Sequence, residues 1–229
     1  MFLTKNNQMK WRTLGWGTVV TLGLCLAGIF VLDQPLYLFL RGFDCGLFRF
    51  FGDVFRAKVW LVVTAALVVA FYIKKTVVSK YNLIEKIKNF KFYEIFIDFI
   101  EKTKTSNALF IFCSIFSSCL LAGGLKVVLG RARPIFFEAL GMTGFYPFTF
   151  DWAFNSMPSG HTVASFAGLV MVGMLAPRIK GLTWGLAILI GVSRVCVGAH
   201  WPSDVLLGAF IGMVMADLVK WRLMRRIAK

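Results

Sequence analysis

Charged residues are scarce in this chain of 229 residues. They make up 16% of the sequence, with only 11 Asp and Glu residues and two histidines. A soluble domain typically carries about 25% charged residues. With 58% hydrophobic residues and a mean hydropathy of +0.73, the composition excludes an ordinary soluble domain and predicts an integral membrane protein.

Metal-binding and nucleic-acid-binding patterns are also missing. The five cysteines show no CxxC or other metal-ligand spacing, so we predict neither a metal site nor a disulfide. The net charge of +15 comes from basic residues clustered between apolar runs. Anionic lipid headgroups account for that pattern, and no nucleic-acid motif accompanies it. The composition therefore favours the bilayer over nucleic acid as the partner.

Six segments of the chain are apolar enough to cross a bilayer. The last three have short apolar cores, and polar residues occupy one end of each. The sequence therefore predicts an all-α integral membrane protein, a single domain over residues 1–229 with six transmembrane helices in a bundle. The predicted spans are Thr13–Leu32, Val54–Ile73, Thr105–Leu125, His161–Ala176, Gly181–Val197 and Ser203–Val219.

Lysine and arginine are distributed unequally between the two ends of these spans. One end has 18 of the 26: three in the N-terminal tail, eight within residues 74–104, two beside residue 179 and five from Lys220 onward. Short cytoplasmic segments are enriched in Lys and Arg, so we expect both termini to be cytoplasmic. The polar segments then face the opposite side, which in a bacterial inner (cytoplasmic) membrane is the periplasm.

Two long connections differ in composition. Residues 74–104 mix eight Lys with apolar residues, which is typical of amphipathic helices on the inner leaflet. Residues 135–157 are rich in aromatic residues and lie on the side of the polar segments. They suit a lid, a platform for acyl chains or an interfacial anchor. Two glycine pairs, Gly181 with Gly185 and Gly208 with Gly212, are spaced for helix packing.

Three cations are predicted on the side of the polar segments. Lys126 and Arg133 are two helical turns apart, so both would point to one side of a helix. Gly130 and Pro134 indicate that this helix ends here. Arg194 adds a third cation at the end of the fifth span. Three cations suit a group with two negative charges and several acceptor oxygens, which points to phosphate.

Both histidines lie in polar segments next to apolar runs. Pro158-Ser159-Gly160-His161 opens the fourth span, where Ser159 can cap the helix and free N–H groups can bind an anion. His200 is followed by Asp204, close enough to hold one ring nitrogen and leave the other free to attack. The pattern predicts a histidine nucleophile with a carboxylate that orients it.

Together these segments resemble the three signature motifs of the type 2 phosphatidic acid phosphatase superfamily. The first motif is Lys, six residues, then Arg-Pro, which occupies residues 126–134 here. The second is Pro-Ser-Gly-His, residues 158–161. The third is Ser-Arg, five residues, His, three residues and Asp, residues 193–204. No motif residue is missing.

The resemblance implies a lipid phosphatase that uses no metal or other cofactor. In the implied mechanism His200 attacks phosphorus to form a phosphohistidine, and Asp204 orients His200. His161 protonates the leaving group and then activates water. Arg131 has no motif role, and we expect it to contact the lipid headgroup. The implied phosphate ligands are Lys126, Arg133, Arg194, Ser159 and the Gly160 amide.

The motifs recognise a phosphoryl group and not a lipid tail. They therefore do not rank lipid A, undecaprenyl pyrophosphate, phosphatidylglycerophosphate and phosphatidic acid as substrates. A lipid phosphotransferase with the same site would pass the phosphoryl group to another lipid. A transporter would place its polar groups mid-membrane, whereas these lie at span ends. The sequence contains no sign of an obligate protein partner.

Overall fold

The computed structural model describes residues 1–4, 6–73 and 105–227, and within these ranges the chain is helical with no β-strand. The first helix continues through a π-helical turn, Gly28–Leu32, into the second. Two short 3-10 turns lie at Trp152–Phe154 and Pro177–Ile179. The helices are α1 (Trp11–Ala27), α2 (Asp33–Arg41), α3 (Gly46–Val54), α4 (Ala57–Ile73), α5 (Thr105–Leu129), α6 (Pro134–Leu140), α7 (Gly160–Leu175), α8 (Lys180–Cys196) and α9 (Pro202–Ile227).

Helix α7 lies at the centre of the bundle and contacts α4, α5, α8 and α9. It has 16 residues and is buried around most of its circumference, which is expected of a helix that is apolar on all sides. Its side chains join one core with residues from α5, α8 and α9. That core contains Phe110, Phe166, Leu169, Val170, Met171, Ala187, Ile190 and Ala216. The central helix therefore fixes the relative positions of the helices around it.

Among the described residues, four helical segments are long and apolar enough to cross a membrane. A fifth is obtained if α3 and α4, which are bent by 45° at their junction, form one broken span. Helix α7 is apolar but, at 16 residues, is only about 24 Å long. The all-helical, membrane-type fold is thus confirmed with four or five candidate spans. The remaining predicted span corresponds to the short central helix.

The first apolar segment is longer than predicted. We expected it to end at Leu32, but the helix continues through Arg41. Asp33, the residue that marked the predicted end, is only 2% exposed. Its carboxylate accepts a hydrogen bond from the Arg131 guanidinium at 2.6 Å. Because the charge is compensated inside the protein, Asp33 does not need to end the apolar segment at a membrane surface.

The two ends of the bundle are composed differently. At one end the rings of Trp11 and Trp221 meet edge to face at 5.7 Å, and Lys220 Nζ donates to the Met174 carbonyl at 3.3 Å. The start of α1 and the ends of α7 and α9 therefore lie together. The three motifs lie where α5 ends and where α7 and α9 begin. They are consequently at the opposite end of the bundle.

One of the two predicted glycine contacts is present. A Cβ on Gly208 would lie 2.9 Å from the Ser159 carbonyl oxygen, and one on Gly212 would lie 2.7 Å from the Val163 carbonyl oxygen. This pair therefore lets α9 approach α7 closely. For Gly181 and Gly185 no such contact is present among the described residues, where no neighbouring atom lies within 4 Å of a Cβ at either position. The amphipathic helices predicted for residues 74–104 lie outside the described residues.

Candidate active site

A cavity of about 570 Å³ opens at the end of the bundle where the motifs lie. The structure brings six of the eight predicted site residues to its wall, namely Lys126, Arg133, Gly160, His161, Arg194 and His200. The other two, Ser159 and Asp204, are completely buried behind the wall. Residues from outside the motifs complete the lining, including Arg49, Gly52, Arg56, Lys58 and Trp152.

Backbone contacts hold the three motifs together. Helix α5 ends at Leu129, and Gly130 follows with a φ of +59°, a left-handed conformation that favours glycine. The Trp201 indole N–H donates to the Ala132 carbonyl at 2.9 Å and so joins the third motif to the first. The Ser159 N–H donates to the Asp204 carbonyl at 3.0 Å and joins the second motif to the third. The helix end predicted after Lys126 is confirmed.

His200 lies in the turn between α8 and α9 and is held from one side of its ring. Its Nδ1 is 3.7 Å from Asp204 Oδ2, which is longer than a hydrogen bond. The Ser156 hydroxyl lies between them: it donates to Asp204 Oδ2 at 2.5 Å and is 3.4 Å from Nδ1. Because its hydrogen is used on Asp204, this hydroxyl accepts from Nδ1–H. The arrangement leaves the lone pair on Nε2.

Burial keeps the His200 imidazole neutral. Loss of hydration lowers the pKa of His200 to about 3, even though the nearby Asp204 carboxylate acts in the opposite direction. At neutral pH the ring therefore carries one proton, on Nδ1, and its other nitrogen can act as a nucleophile.

Three cations of the site are held by backbone carbonyl groups. Lys126 Nζ donates to the carbonyls of Asn155 and Ser156 at 2.5 and 3.3 Å. The Arg133 guanidinium donates to the carbonyls of Trp152, Ala199 and Asn155 at 3.0, 3.1 and 3.3 Å, and lies 4.3 Å from the Trp152 ring centre. The Arg194 guanidinium donates to the Phe48 carbonyl at 2.6 Å.

We call Lys126, Arg133 and Arg194 the cavity cations. Within the described part of the chain, none of them forms an ion pair with a carboxylate. Loss of hydration lowers the pKa of Arg133 to about 10, so it still carries its charge at neutral pH. The cavity wall therefore keeps an excess of positive charge, which suits a dianionic ligand.

Arg131 does not line this cavity, and its engagement inside the protein does not favour the predicted contact with a lipid headgroup. It is 5% exposed, and its Nη1 donates to Asp204 Oδ1 and to the Ser203 hydroxyl, both at 2.7 Å. Its Nη2 donates to Asp33. The two carboxylates compensate the charge of Arg131, and the hydrogen bonds of its guanidinium hold Asp204 in place. We call Asp33, Arg131, Ser203 and Asp204 the Asp204 network.

The second motif starts α7 as expected, with one difference. Ser159 is the N-cap residue, but its side chain makes no capping hydrogen bond. Its hydroxyl instead accepts from Thr162 at 3.0 Å. Gly160 opens the helix on the cavity wall, where first-turn N–H groups lack partners within the helix. His161 Nε2 lies 3.1 Å from the Gly52 carbonyl oxygen, a contact that the sequence did not predict.

Among the described residues, no group of three or more His, Cys, Asp or Glu side chains is arranged to hold a metal ion. Ser156, Asp33 and Gly52 were all missed from sequence. A carboxylate directly after a long apolar run is a usable signal for Asp33, because such a charge needs a partner. Ser156 and Gly52 are recognisable only from their contacts in space.

The protein-family model described as the PAP2 superfamily matches residues 107–228, a range that contains all three motifs and more than half of the chain. The chain belongs to the PAP2 superfamily. Its fold agrees with the crystal structure of Aquifex aeolicus LpxE, which superposes with a TM-score of 0.50 and 21% sequence identity over 84% of this chain and 96% of that one.

Two curated relatives are similar to part of this PAP2 chain. Lipid A 1-phosphatase of Rhizobium etli is 43% identical over 103 residues, which are 45% of this chain and 44% of the relative. Phosphatidylglycerophosphatase B of Escherichia coli is 40% identical over 74 residues, 29% of this chain and 28% of the relative. The matched segment thus spans less than half of the length of either relative.

Proposed function

We propose that this PAP2 protein is a lipid phosphatase that removes a phosphate group at the cavity through a phosphohistidine. The observation that carries the proposal is the position of His200, a neutral imidazole on the wall of a cavity with three uncompensated cations. A nucleophile beside a site for a dianion is what phosphoryl transfer requires.

The first step of the proposed reaction forms a bond between His200 Nε2 and phosphorus. The bond between phosphorus and the lipid oxygen breaks, and His161, which is in its imidazolium form when the dianionic substrate is bound, gives a proton to that oxygen and becomes neutral. The His200 ring then carries a positive charge, which Asp204 stabilises through Ser156. The cavity cations and the Gly160 amide hold the phosphoryl oxygens as their charge redistributes.

The second step releases phosphate. A water molecule attacks phosphorus, His161 takes a proton from it, and the bond between phosphorus and Nε2 breaks. Inorganic phosphate leaves, and His200 returns to its neutral form. The cavity cations supply the positive charge that this step needs, so the proposal includes no metal ion. Ser159 has a supporting role in this scheme, because its hydroxyl points toward Thr162 and not into the cavity.

We propose the 1-phosphate of lipid A as the first substrate to test. The support is the 43% identity to lipid A 1-phosphatase of Rhizobium etli over 103 residues. Phosphatidylglycerophosphate, phosphatidic acid and undecaprenyl pyrophosphate present the same phosphoryl chemistry and form the comparison panel. An acceptor lipid added to the same assay separates hydrolysis from phosphotransfer.

We propose six membrane spans in a bacterial inner membrane, with both termini in the cytoplasm and the cavity at the periplasmic face. In this arrangement the central α7 counts as a span despite its length, because neighbouring helices cover it and the cavity lies above its N-terminus. Six of the eight cations assigned to the outer side line the cavity, namely Arg49, Arg56, Lys58, Lys126, Arg133 and Arg194, while Lys220 and Trp221 lie at the other end with Trp11.

Phosphate release by the purified protein, with EDTA present, tests the proposal. We expect the wild type to release phosphate from at least one lipid of the panel, and His200→Ala to lose activity by about 10⁴-fold or more. With a ³²P-labelled substrate, His161→Ala should retain label on the protein as an acid-labile phosphohistidine. Near-wild-type turnover by His200→Ala would overturn the proposed mechanism.

A further inference from the structure

Helix α3, which lies outside the three motifs, packs against the candidate site. Its apolar side chains are largely exposed, with Leu47 at 57% and Phe50 at 58%. Gly52 is the one α3 residue that is buried. It lines the cavity together with Arg194 and His161, and α3 contacts α8, the helix that carries Arg194. Helix α3 thus contributes Arg49, Gly52 and Asp53 to the cavity lining, and Gly52 is the buried one of the three.

Two backbone carbonyls of α3 hold side chains of the site. The Phe48 carbonyl accepts from Arg194 Nη2 at 2.6 Å, and the Gly52 carbonyl is 3.1 Å from His161 Nε2. Carbonyls in the last turn of a helix have no partner within the helix, which makes the Gly52 oxygen available. Since a carbonyl oxygen only accepts, His161 Nε2 must be the donor in this contact.

The missing side chain of Gly52 makes room for the Arg194 guanidinium. A Cβ at this position would lie 2.1 Å from Arg194 Nη1 and 2.8 Å from its Cζ. The Nε and Nη2 atoms of Arg194 already donate to Ser193 and Phe48. No other residue type at position 52 is compatible with this guanidinium placement.

We propose that Gly52 is a positioning residue for phosphoryl transfer: its carbonyl orients the His161 ring, and its lack of a side chain lets Arg194 lie on the cavity wall. The inference rests on the proposed function, in which His161 exchanges protons with the substrate and Arg194 binds the phosphoryl oxygens. With Nε2 held by Gly52, the ring nitrogen left for proton exchange is Nδ1.

Gly52→Ala tests this inference, with Gly46→Ala as the matched control. Both glycines belong to α3, but a Cβ at Gly46 has no neighbouring atom within 4 Å in the part of the chain that the structure describes. Alanine is the better helix former, so lost helix propensity does not explain a defect. We expect Gly52→Ala to lower kcat by about 100-fold, since misplacement of about 1 Å can have that effect. Gly46→Ala should retain wild-type activity, and both should keep the wild-type melting temperature.

A double-mutant cycle separates the contact with Arg194 from a general structural defect. In the Arg194→Ala background the guanidinium is gone, so adding Gly52→Ala should remove much less activity than the same change removes from the wild type. The same full loss in both backgrounds would overturn the steric part of the inference. If Gly52→Ala alone does not fold, the double variant still tests the steric part of the inference, because it has space for the Cβ and should fold.

The histidine contact has its own spectroscopic readout. The untagged chain contains only two histidines, so spectra of ¹⁵N-histidine-labelled protein contain two sets of ring signals, which His161→Gln assigns. We expect His161 to carry its proton on Nε2 in the wild type and in Gly46→Ala, and to lose that single form in Gly52→Ala. A neutral His161 ring protonated on Nδ1 alone in the wild type would overturn the orienting role of the carbonyl.

Orthovanadate binding distinguishes a failure of this inference from a failure of the proposed function. If the wild type released no phosphate from any lipid, the proposed function would fail, but orthovanadate affinity would still report on Arg194. We expect Gly52→Ala to weaken orthovanadate binding by about tenfold or more, as expected for losing one charge-assisted contact. Wild-type orthovanadate affinity together with wild-type turnover in Gly52→Ala would overturn the inference.

Discussion

The molecule contains two groups of buried cations that differ in what accepts their hydrogen bonds. In the Asp204 network, Arg131 donates to two carboxylates, those of Asp33 and Asp204. Two residues further along the chain, Arg133 donates to three backbone carbonyls. Lys126 and Arg194 follow the pattern of Arg133.

The difference determines what each group can do. A carboxylate cancels the charge of its partner, whereas a carbonyl dipole only replaces part of its lost hydration. Arg131 therefore has no charge left for a ligand and stabilises the fold behind His200. Among the described residues no carboxylate pairs with a cavity cation, so these side chains are less stabilised but remain available to a dianion. Both groups are largely buried, so burial does not distinguish them. They differ in whether a carboxylate compensates the charge.

Arg131→Gln should have the largest effect on stability. It leaves the carboxylates of Asp33 and Asp204 buried without a cation, and breaking a buried pair in this way costs about 3–5 kcal/mol. For a chain of this size we expect the melting temperature in detergent to fall by roughly 10 °C. Asp33→Asn in the same chain should restore part of the loss. An unchanged melting temperature for Arg131→Gln would remove the distinction between the two groups.

Ser156→Ala should have an intermediate effect, because Ser156 links the Asp204 network to the cavity. Its hydroxyl joins Asp204 to His200, while its carbonyl accepts from Lys126 and is kept in the variant. Loss of one hydrogen bond to a charged group corresponds to about 1.5–3 kcal/mol, so we expect kcat to fall by roughly 10–100-fold with little change in KM. Steady-state kinetics on a lipid phosphate check this. A large rise in KM with unchanged kcat would indicate that Ser156 binds substrate instead.

Arg56→Gln should have the smallest effect. Arg56 lines the cavity, but its side chain is 61% exposed and pairs with Asp53. Exposed ion pairs contribute little, so we expect kcat/KM and the melting temperature to stay within about twofold and a few degrees of wild type. A 100-fold loss of activity would show that an exposed cation paired with a carboxylate binds substrate, which would contradict the distinction between the two groups.

The sequence predicted the parts of the site that depend on local spacing. Glycine and proline positions predict where α5 ends and where α7 begins. The motif spacing predicts the grouping of Lys126, Arg133, Gly160, His161, Arg194 and His200, and the structure places all six on one cavity wall. The all-helical fold follows from the apolar segments in the same way.

The sequence could not assign roles that depend on contacts between distant residues. Arg131 and Arg133 are both basic residues shortly before Pro134, and only the contacts with Asp33 and Asp204 show which one is neutralised. Gly52 has a role because α3 meets α7 and α8 there. The predicted end of the first span failed for a related reason: the hydrophobicity pattern treats Asp33 as exposed, whereas Arg131 compensates its charge.

The central claim is that uncompensated charge on the cavity wall binds the phosphoryl group. Orthovanadate affinity of purified Arg133→Gln, measured by calorimetry beside its melting temperature, tests this claim most directly. We predict at least about tenfold weaker binding with a melting temperature close to that of the wild type, because no carboxylate loses a partner. Wild-type affinity in Arg133→Gln, or a fall in melting temperature as large as that of Arg131→Gln, would contradict the account.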